Sequence, residues 1–142
     1  MDWTLELIVV PVSDMDRAKA FYIDKAGFEE LVDVRVGDPA GEMRVIQLTP
    51  RGSSCAIALM DRTPMTPGSL YGLHLVVPDL EAARRELLDR GLEVSEPFHF
   101  GAKGQEAGLD PERGNYNSFA SFTDPDGNTW LVQEVDRARA AH

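Results

Sequence analysis

The chain has 142 residues, 43% of them hydrophobic and 27% charged, and its formal net charge is −10. This length suits one domain with a single core, or two small modules that share one. The acidic balance disfavours nucleic acids and anionic membranes as partners, because binding to phosphate groups needs clustered Lys and Arg. The single cysteine, Cys55, cannot form an internal disulfide, and the apolar run at residues 7–12 is too short to span a bilayer. We therefore expect a cytoplasmic protein without a signal peptide or membrane anchor.

An internal repeat organises the chain. An apolar, strand-like run ends just before Asp14, and a second one ends just before Asp79, 65 positions later. Apolar residues at helical spacing follow each Asp, and Asp14 (or Ser13) and Asp79 are suited to cap these helices with a side-chain oxygen. The two predicted helices end near Gly27 and Gly91, because glycine readily adopts the left-handed conformation that follows many helices.

Strand-like stretches follow each predicted helix. They lie at residues 28–36, 43–49 and 54–60 in the first half, and at 92–98, 117–123 and 128–135 in the second. The sequence therefore predicts an α+β fold of two βαβββ modules, at residues 1–61 and 70–136, in one structural domain. Residues 62–69 have the composition of a linker, and 137–142 form a C-terminal tail. Between His99 and Asn115 we predict a long loop, which is either a lid or binding loop or a disordered segment.

Alternation along the strands separates a face under the helices from an opposite face. The residues predicted to face the helices are apolar: Cys55, Tyr71, Leu73, Leu75, Val77, Phe122 and Trp130. The opposite face is predicted to hold small, apolar and neutral polar groups, among them Gln47, Met60, His74, Phe119, Ser121 and Gln133. A mixed, uncharged face of this kind is typical of the wall of a ligand pocket.

Three motifs give the chain a family resemblance. Val12-Ser13-Asp14 precedes a helix that ends in Ala-Phe-Tyr-x-x-x-x-Gly-Phe, and the last hairpin carries Asp124-Pro-Asp-Gly-Asn128. Together these motifs resemble the vicinal oxygen chelate superfamily, which includes glyoxalase I, extradiol dioxygenases, and the bleomycin- and fosfomycin-resistance proteins. The resemblance implies a curved eight-stranded cup with its helices on the outer face, a ligand inside the cup, and commonly a homodimer.

The resemblance also implies four metal-ligand positions, which fall on Leu7, Ala58, Gly72 and Leu131 when the local motifs set the register. None of these residues has a side-chain donor atom for a divalent ion. The tyrosine that extradiol dioxygenases carry in the penultimate strand corresponds to Ser121. We therefore expect no bound metal and no other cofactor, and metal-dependent glyoxalase or dioxygenase chemistry is not expected.

The candidate site residues are those predicted on the face opposite the helices, together with a tyrosine that follows the long loop. His74 is a candidate for ligand contact or for acid–base chemistry, and a purely structural role remains open. Gln47 and Gln133 are suited to hydrogen-bond a polar ligand, or they satisfy nearby backbone groups instead. Tyr116 either reaches over the cup or covers the edge of the core. The predicted ligand-binding set is His74, Gln133, Gln47, Phe119, Ser121, Tyr116 and Met60.

Three functions are compatible with these observations. The first is a small-molecule-binding protein like the bleomycin-resistance branch, which holds its ligand without a metal for resistance or sequestration. The second is an enzyme of the same superfamily, either a metal-independent isomerase or lyase with His74 as base, or a metal enzyme with displaced ligands. The third is a dimeric interaction module. For all three we expect a homodimer, because small paired-module sheets have edges to cover.

Overall fold

The computed structural model describes residues 1–37 and 41–138. Two β-sheets and two α-helices form an α+β fold, which confirms the predicted pair of βαβββ modules. The chain divides into two compact units: Met1–Leu70 with Asp124–Asn128, and Tyr71–Thr123 with Thr129–His142. The end of the predicted tail, residues 139–142, lies outside the described residues. No helix in the described part of the chain is long and apolar enough to cross a membrane.

The first unit contains a four-stranded sheet in the order β1-β4-β3-β2, in which β1 and β4 are parallel and the other pairs antiparallel. Its strands are β1 (Leu7–Pro11), β2 (Glu29–Val36), β3 (Met43–Thr49) and β4 (Ala56–Met60). Helix α1 (Met15–Ala20) continues as a π-helical turn, Phe21–Lys25. The predicted cap is confirmed, since an Asp14 side-chain oxygen accepts a hydrogen bond from the Arg17 amide at 3.0 Å.

The second unit contains a five-stranded sheet in the order β5-β9-β8-β6-β7. Its elements are β5 (Tyr71–Val77), α2 (Leu80–Asp89), β6 (Phe98–Gly101), β7 (Gly104–Ala107), β8 (Phe119–Thr123) and β9 (Thr129–Glu134). Asp79 caps α2 as predicted, because its carboxylate accepts from the Ala82 amide at 3.1 Å. Gly91, just after this helix, has a φ of 88°, a conformation that residues with a Cβ rarely adopt.

Each sheet has one face covered by its helix, which we call the helix face, and one turned away from it, the open face. The helix face of the first sheet carries Val10, Ile46, Leu48, Ile57 and Leu59, all buried. The helix face of the second sheet carries Phe122, Trp130 and Val132, also buried. Trp130 and Phe122 are therefore core residues, as the alternation predicts.

The Asp-Pro-Asp-Gly-Asn turn between β8 and β9 belongs to the first unit, although both strands belong to the second. One carboxylate oxygen of the buried Asp124 accepts hydrogen bonds from the amides of Asp126, Gly127 and Asn128, which closes the turn. The other oxygen accepts from the Tyr22 hydroxyl and the Asn128 side chain, both at 2.8 Å. The turn is therefore fixed by buried hydrogen bonds to the first unit.

The segment after α2 differs from the prediction. Residues 92–97 are not a strand; the next strand, β6, begins at Phe98 and forms a hairpin with β7 within the predicted 99–115 loop. Ser95 contacts β8 through its hydroxyl, which accepts from the Ser121 amide at 2.9 Å, and Pro97 has no N–H to extend a strand ladder. A β-hairpin therefore replaces part of the predicted loop, and the second sheet has five strands where the sequence predicts four.

Two residues predicted to face the helices lie elsewhere. Gly72 has a φ of 88° and sits at a register shift between β5 and β9, so Tyr71 leaves the alternation and is 81% exposed. Such a bulge inserts one extra residue and reverses the side-chain alternation locally. Cys55 is only half-buried because β4 begins at the next residue, Ala56. Its thiol is not the buried core group that the alternation predicts.

An ion-pair network joins α1 to the helix face of the first sheet. Arg44 donates two hydrogen bonds to the Asp33 carboxylate, at 2.9 and 2.8 Å, and Lys19 donates a third at 2.7 Å. Arg44 also pairs with Asp16 on α1 at 2.7 Å. The Arg44 and Lys19 cations hold the pKa of Asp33 well below its ordinary range.

Replacing Asp33 with asparagine is expected to lower the free energy of unfolding at pH 7 by about 1 kcal/mol, because the network is only partly shielded from water. A carboxylate whose pKa is depressed in the folded state stabilises above its unfolded pKa, and this stabilisation is lost as the pH falls towards the folded value. The difference between wild type and Asp33→Asn should therefore shrink below about pH 4. Urea unfolding at pH 7 and pH 3 measures it, with Asp61→Asn as the exposed control. An equal difference at both pH values would contradict the assignment.

Candidate ligand-binding site

The open face of the second sheet brings four of the predicted site residues together. His74 on β5 is paired with Leu131 on β9, and Leu131 with Ser121 on β8, so these three side chains form one row across the strands. Gln133 and Phe119 form the next row, since they are also direct partners. The predicted register of the last hairpin is confirmed.

No formally charged side chain lies in these rows, although the chain has a net charge of −10. Val76 is paired with Gln133, and Phe98 is paired with Phe119, so apolar groups continue the second row at both ends. Several groups on this face are accessible: His74 is exposed, and Val76 is about half-exposed, as is Phe100, which lies two residues beyond Phe98 on β6. A solvent-accessible, uncharged face is therefore built into an otherwise acidic protein.

Three phenylalanines cluster at the β6–β8 side of this face. The rings of Phe98 and Phe119 are stacked with centroids 5.5 Å apart, and the Phe100 ring stands edge-on to both, at 6.2 and 5.6 Å. Phe119 is buried under this arrangement, whereas Phe100 is 51% exposed. The cluster presents an aromatic surface on which an apolar or aromatic ligand can pack. Phe98 and Phe100 were missed from sequence because the strand that carries them was placed too early.

His74 is held by the bulge that precedes it. Its Nδ1 lies 2.6 Å from the carbonyl oxygen of Gly72. A carbonyl oxygen only accepts, so Nδ1 carries the proton and donates it, and in the neutral imidazole Nε2 is left as an acceptor. The left-handed conformation of Gly72 aims its carbonyl at the ring, so the bulge orients the histidine.

The Gln133 side chain is hydrogen-bonded to the backbone of Tyr116. The Gln133 side-chain nitrogen donates to the Tyr116 carbonyl at 3.0 Å, which is the backbone-satisfying role left open by the sequence. Tyr116 has a φ of 72°, and its hydroxyl accepts from the Arg137 guanidinium at 2.8 Å. The Tyr116 backbone therefore lies beside the open face, while its ring packs against Arg137.

A buried ion pair anchors the segment before Tyr116. Glu134 is fully buried on the helix face, and its carboxylate accepts two hydrogen bonds from Arg113, at 3.0 and 2.6 Å. It also accepts from the Leu80 amide at the start of α2, at 3.0 Å. This contact with Glu134 raises the pKa of Arg113. One feature of the sequence could have predicted this ion pair. Glu134 alternates with Trp130 and Val132 and therefore lies on a buried face, where a carboxylate needs a partner.

Gln47 and Met60 lie on the open face of the first sheet. Gln47 is paired with Ala58 on one side and Val32 on the other, and Met60 is paired with Pro11. Apart from Gln47, the central residues of this face are apolar: Leu7, Val9, Val32, Val34, Val45, Ala56 and Ala58. The open face of the first sheet is thus also uncharged in its centre.

The residues at the four metal-ligand positions do not fit a divalent ion. Leu7 and Ala58 lie on the open face of the first sheet, and Leu131 on that of the second, without donor atoms. Gly72, the fourth, is in the bulge, where its φ of 88° disfavours a side chain that could act as a ligand. In the described part of the chain, no group of three or more His, Cys, Asp or Glu is placed to hold a metal.

A concavity of about 460 Å³ lies near the start of α1 in the first unit. It is lined by Ser13, Asp14, Met15, Asp16, Arg35, Glu42, Arg44, Asp61 and Arg62. Its charged groups largely satisfy one another, as in the pairs of Arg44 with Asp16 and Arg35 with Glu42. Because charged side chains dominate its lining, we regard it as a charged surface concavity and not as the ligand site.

The fold and motifs agree with a known protein family. The sequence matches the Glyoxalase/Bleomycin resistance protein/Dioxygenase superfamily over residues 4–132. The chain therefore belongs to this superfamily, as the resemblance of its motifs implies.

Solved structures of similar proteins extend the comparison. TnmS3, an antibiotic binding protein from Streptomyces sp. CB03234, is 34% identical with a TM-score of 0.72, over 94% of this chain and 96% of that one. A glyoxalase/bleomycin resistance protein from the same organism is also 34% identical, with a TM-score of 0.70, over 92% and 99%. A superfamily member from Sphaerobacter thermophilus DSM 20745 is 26% identical, with a TM-score of 0.69, over 94% and 98%.

Proposed function

We propose that this protein binds a small, largely apolar molecule on the open face of its second sheet, without a metal, and thereby sequesters it. The observation that carries the proposal is the accessible, uncharged face that holds an aromatic cluster, His74, Ser121 and Gln133 in a protein of net charge −10. Apolar walls with a few placed polar groups are typical of ligand sites. The similarity to TnmS3, an antibiotic binding protein, supports a ligand of antibiotic type and a role in resistance.

A charged residue introduced at the centre of the open face tests whether this face binds the ligand. Leu131 lies between His74 and Ser121, so Leu131→Glu puts a carboxylate into the centre of the first row. We expect ligand binding to weaken at least about tenfold, because a bound apolar molecule would desolvate that charge. A thermal-shift screen of cationic aromatic drugs and small carbonyl metabolites supplies ligands, and titration calorimetry then compares the variants.

The matched control is Leu88→Glu, the same change at an exposed position on α2. It should leave affinity unchanged. Equal affinities for Leu131→Glu and wild type would exclude the open face as the site. Binding that disappears after treatment with EDTA, and returns with one equivalent of metal, would contradict metal independence. In cells, expression of the wild type should raise tolerance to the bound drug, whereas Leu131→Glu should not.

We also propose that the protein works as a cytoplasmic homodimer. The outer edges of β1 and β5 are terminal in their sheets, and edge strands are commonly covered by another chain. Light scattering that gives twice the 15.7 kDa chain mass would support the dimer.

One observation favours an enzyme as the second candidate function. His74 exposes an Nε2 lone pair while its other nitrogen is oriented by a backbone carbonyl, an arrangement compatible with a general base. An isomerase or lyase of this kind would exchange a carbon-bound proton of its ligand with solvent. Deuterium incorporation into a bound ligand, lost in His74→Ala, separates this function from sequestration.

A further inference from the structure

Building on the proposed function, we infer that His74 selects ligands that present a hydroxyl or N–H donor. The inference depends on the tautomer, because only an imidazole with its proton on Nδ1 offers Nε2 as an acceptor. The 2.6 Å contact between Nδ1 and the Gly72 carbonyl selects that tautomer. His74 is exposed, so Nε2 is accessible to a molecule lying on the face.

The other accessible polar groups of the face point to the same ligand chemistry. The Gln133 side-chain nitrogen donates one of its two N–H groups to the Tyr116 carbonyl, and the side-chain oxygen can accept a hydrogen bond from a ligand. The Ser121 hydroxyl takes part in no hydrogen bond among the described residues and can accept or donate. Three polar groups therefore offer acceptors to a ligand, and His74 is the one whose free atom, Nε2, can only accept.

The distance between His74 and the phenylalanine cluster limits the size of a ligand that contacts both. His74 and Phe119 are two strands apart and in adjacent rows, so about 12 Å separates them at strand spacings of ~4.8 Å and rises of ~3.4 Å per residue. The phenylalanine cluster suits a flat aromatic body, and Nε2 suits a donor at the opposite end. The ligand class that fits is a polycyclic aromatic molecule bearing a phenolic hydroxyl or an amine.

A matched pair of fluorescent probes tests the donor requirement. 1-Hydroxypyrene and 1-methoxypyrene have the same aromatic body, but only the first has a donor. We expect wild type to bind 1-hydroxypyrene about three- to tenfold more tightly than 1-methoxypyrene, as measured by fluorescence anisotropy. His74→Phe keeps a planar ring without Nε2, and should bind both probes with similar affinity. His74→Gln, whose amide oxygen accepts, should restore part of the preference.

The outcomes separate this inference from the proposed function. If wild type binds both probes equally well, the face binds aromatic molecules and the selective role of His74 is wrong. If wild type binds neither probe, both the proposed site and the inference are contradicted. Nitrogen-15 spectra of the neutral imidazole give an independent readout without any probe. They should show the proton of His74 on Nδ1, and a proton on Nε2 would overturn the inference.

Discussion

Replacing Trp130 with alanine is expected to lower the free energy of unfolding by about 3–5 kcal/mol, as large-to-small core substitutions do. The indole is only 2% exposed and stacks on Phe122, with ring centroids 6.0 Å apart and planes within 3° of parallel. Removing it eliminates this contact and leaves a cavity on the helix face of the second sheet. Urea unfolding at pH 7 measures the loss.

His74→Ala is the matched control because His74 lies on the same sheet but on its open face. Its exposed side chain contributes little to packing, so the free energy of unfolding should change by about 0.5 kcal/mol or less. Together the two variants test the assignment of faces. If His74→Ala unfolds as easily as Trp130→Ala, the histidine is a structural residue and its role at the ligand site is wrong.

Replacing Arg113 with alanine is expected to cost about 3 kcal/mol of stability. The substitution removes two hydrogen bonds and the opposite charge from the fully buried Glu134 carboxylate, which keeps its hydrogen bond from the Leu80 amide. A buried charge that loses its partner is strongly destabilising, even where the intact pair itself adds little. Thermal and urea unfolding both report the loss.

Two further variants serve as controls for Arg113→Ala. Arg113→Lys keeps the positive charge but cannot form the bidentate hydrogen bonds to Glu134, so we expect an intermediate loss in the free energy of unfolding. Arg85→Ala removes an exposed arginine on α2 that forms no ion pair with any of the described residues, and it should be neutral within about 0.5 kcal/mol. If Arg113→Ala changed stability no more than Arg85→Ala, the buried pair would not be formed in solution.

The sequence predicted those parts of the fold that local chemistry determines. Asp14 and Asp79 precede helical spacing and cap their helices, and the Asp-Pro-Asp-Gly-Asn turn aligns β8 with β9 in the expected register. Since that register is fixed by a short turn, it placed Ser121, Phe119 and Gln133 on one face without any knowledge of tertiary contacts.

The errors occur where a single residue changes the alternation or where pairing depends on distant partners. Gly72 resembles an ordinary strand residue in the sequence, yet its left-handed conformation shifts the register and turns Tyr71 outwards. The β6–β7 hairpin was mistaken for a loop because its strands are short and rich in glycine and polar groups. The same bulge orients His74, so the feature that escaped the sequence pattern also determines the chemistry of the site.

The turn at residues 124–128 bears on how the protein is made. The first unit includes Asp124–Asn128, which follow most of the second unit in the chain, so a ribosome has to synthesise the chain as far as Asn128 before the first unit is complete. Until then the Tyr22 hydroxyl lacks its hydrogen bond to the Asp124 carboxylate, and the Pro11 carbonyl lacks the one from the Asn128 side chain. Each hydrogen bond of this kind contributes about 0.5–1.5 kcal/mol to stability. Folding of the first unit should thus be completed only after Asn128 has been synthesised, and a gene fragment encoding residues 1–70 alone would yield this unit without its 124–128 turn.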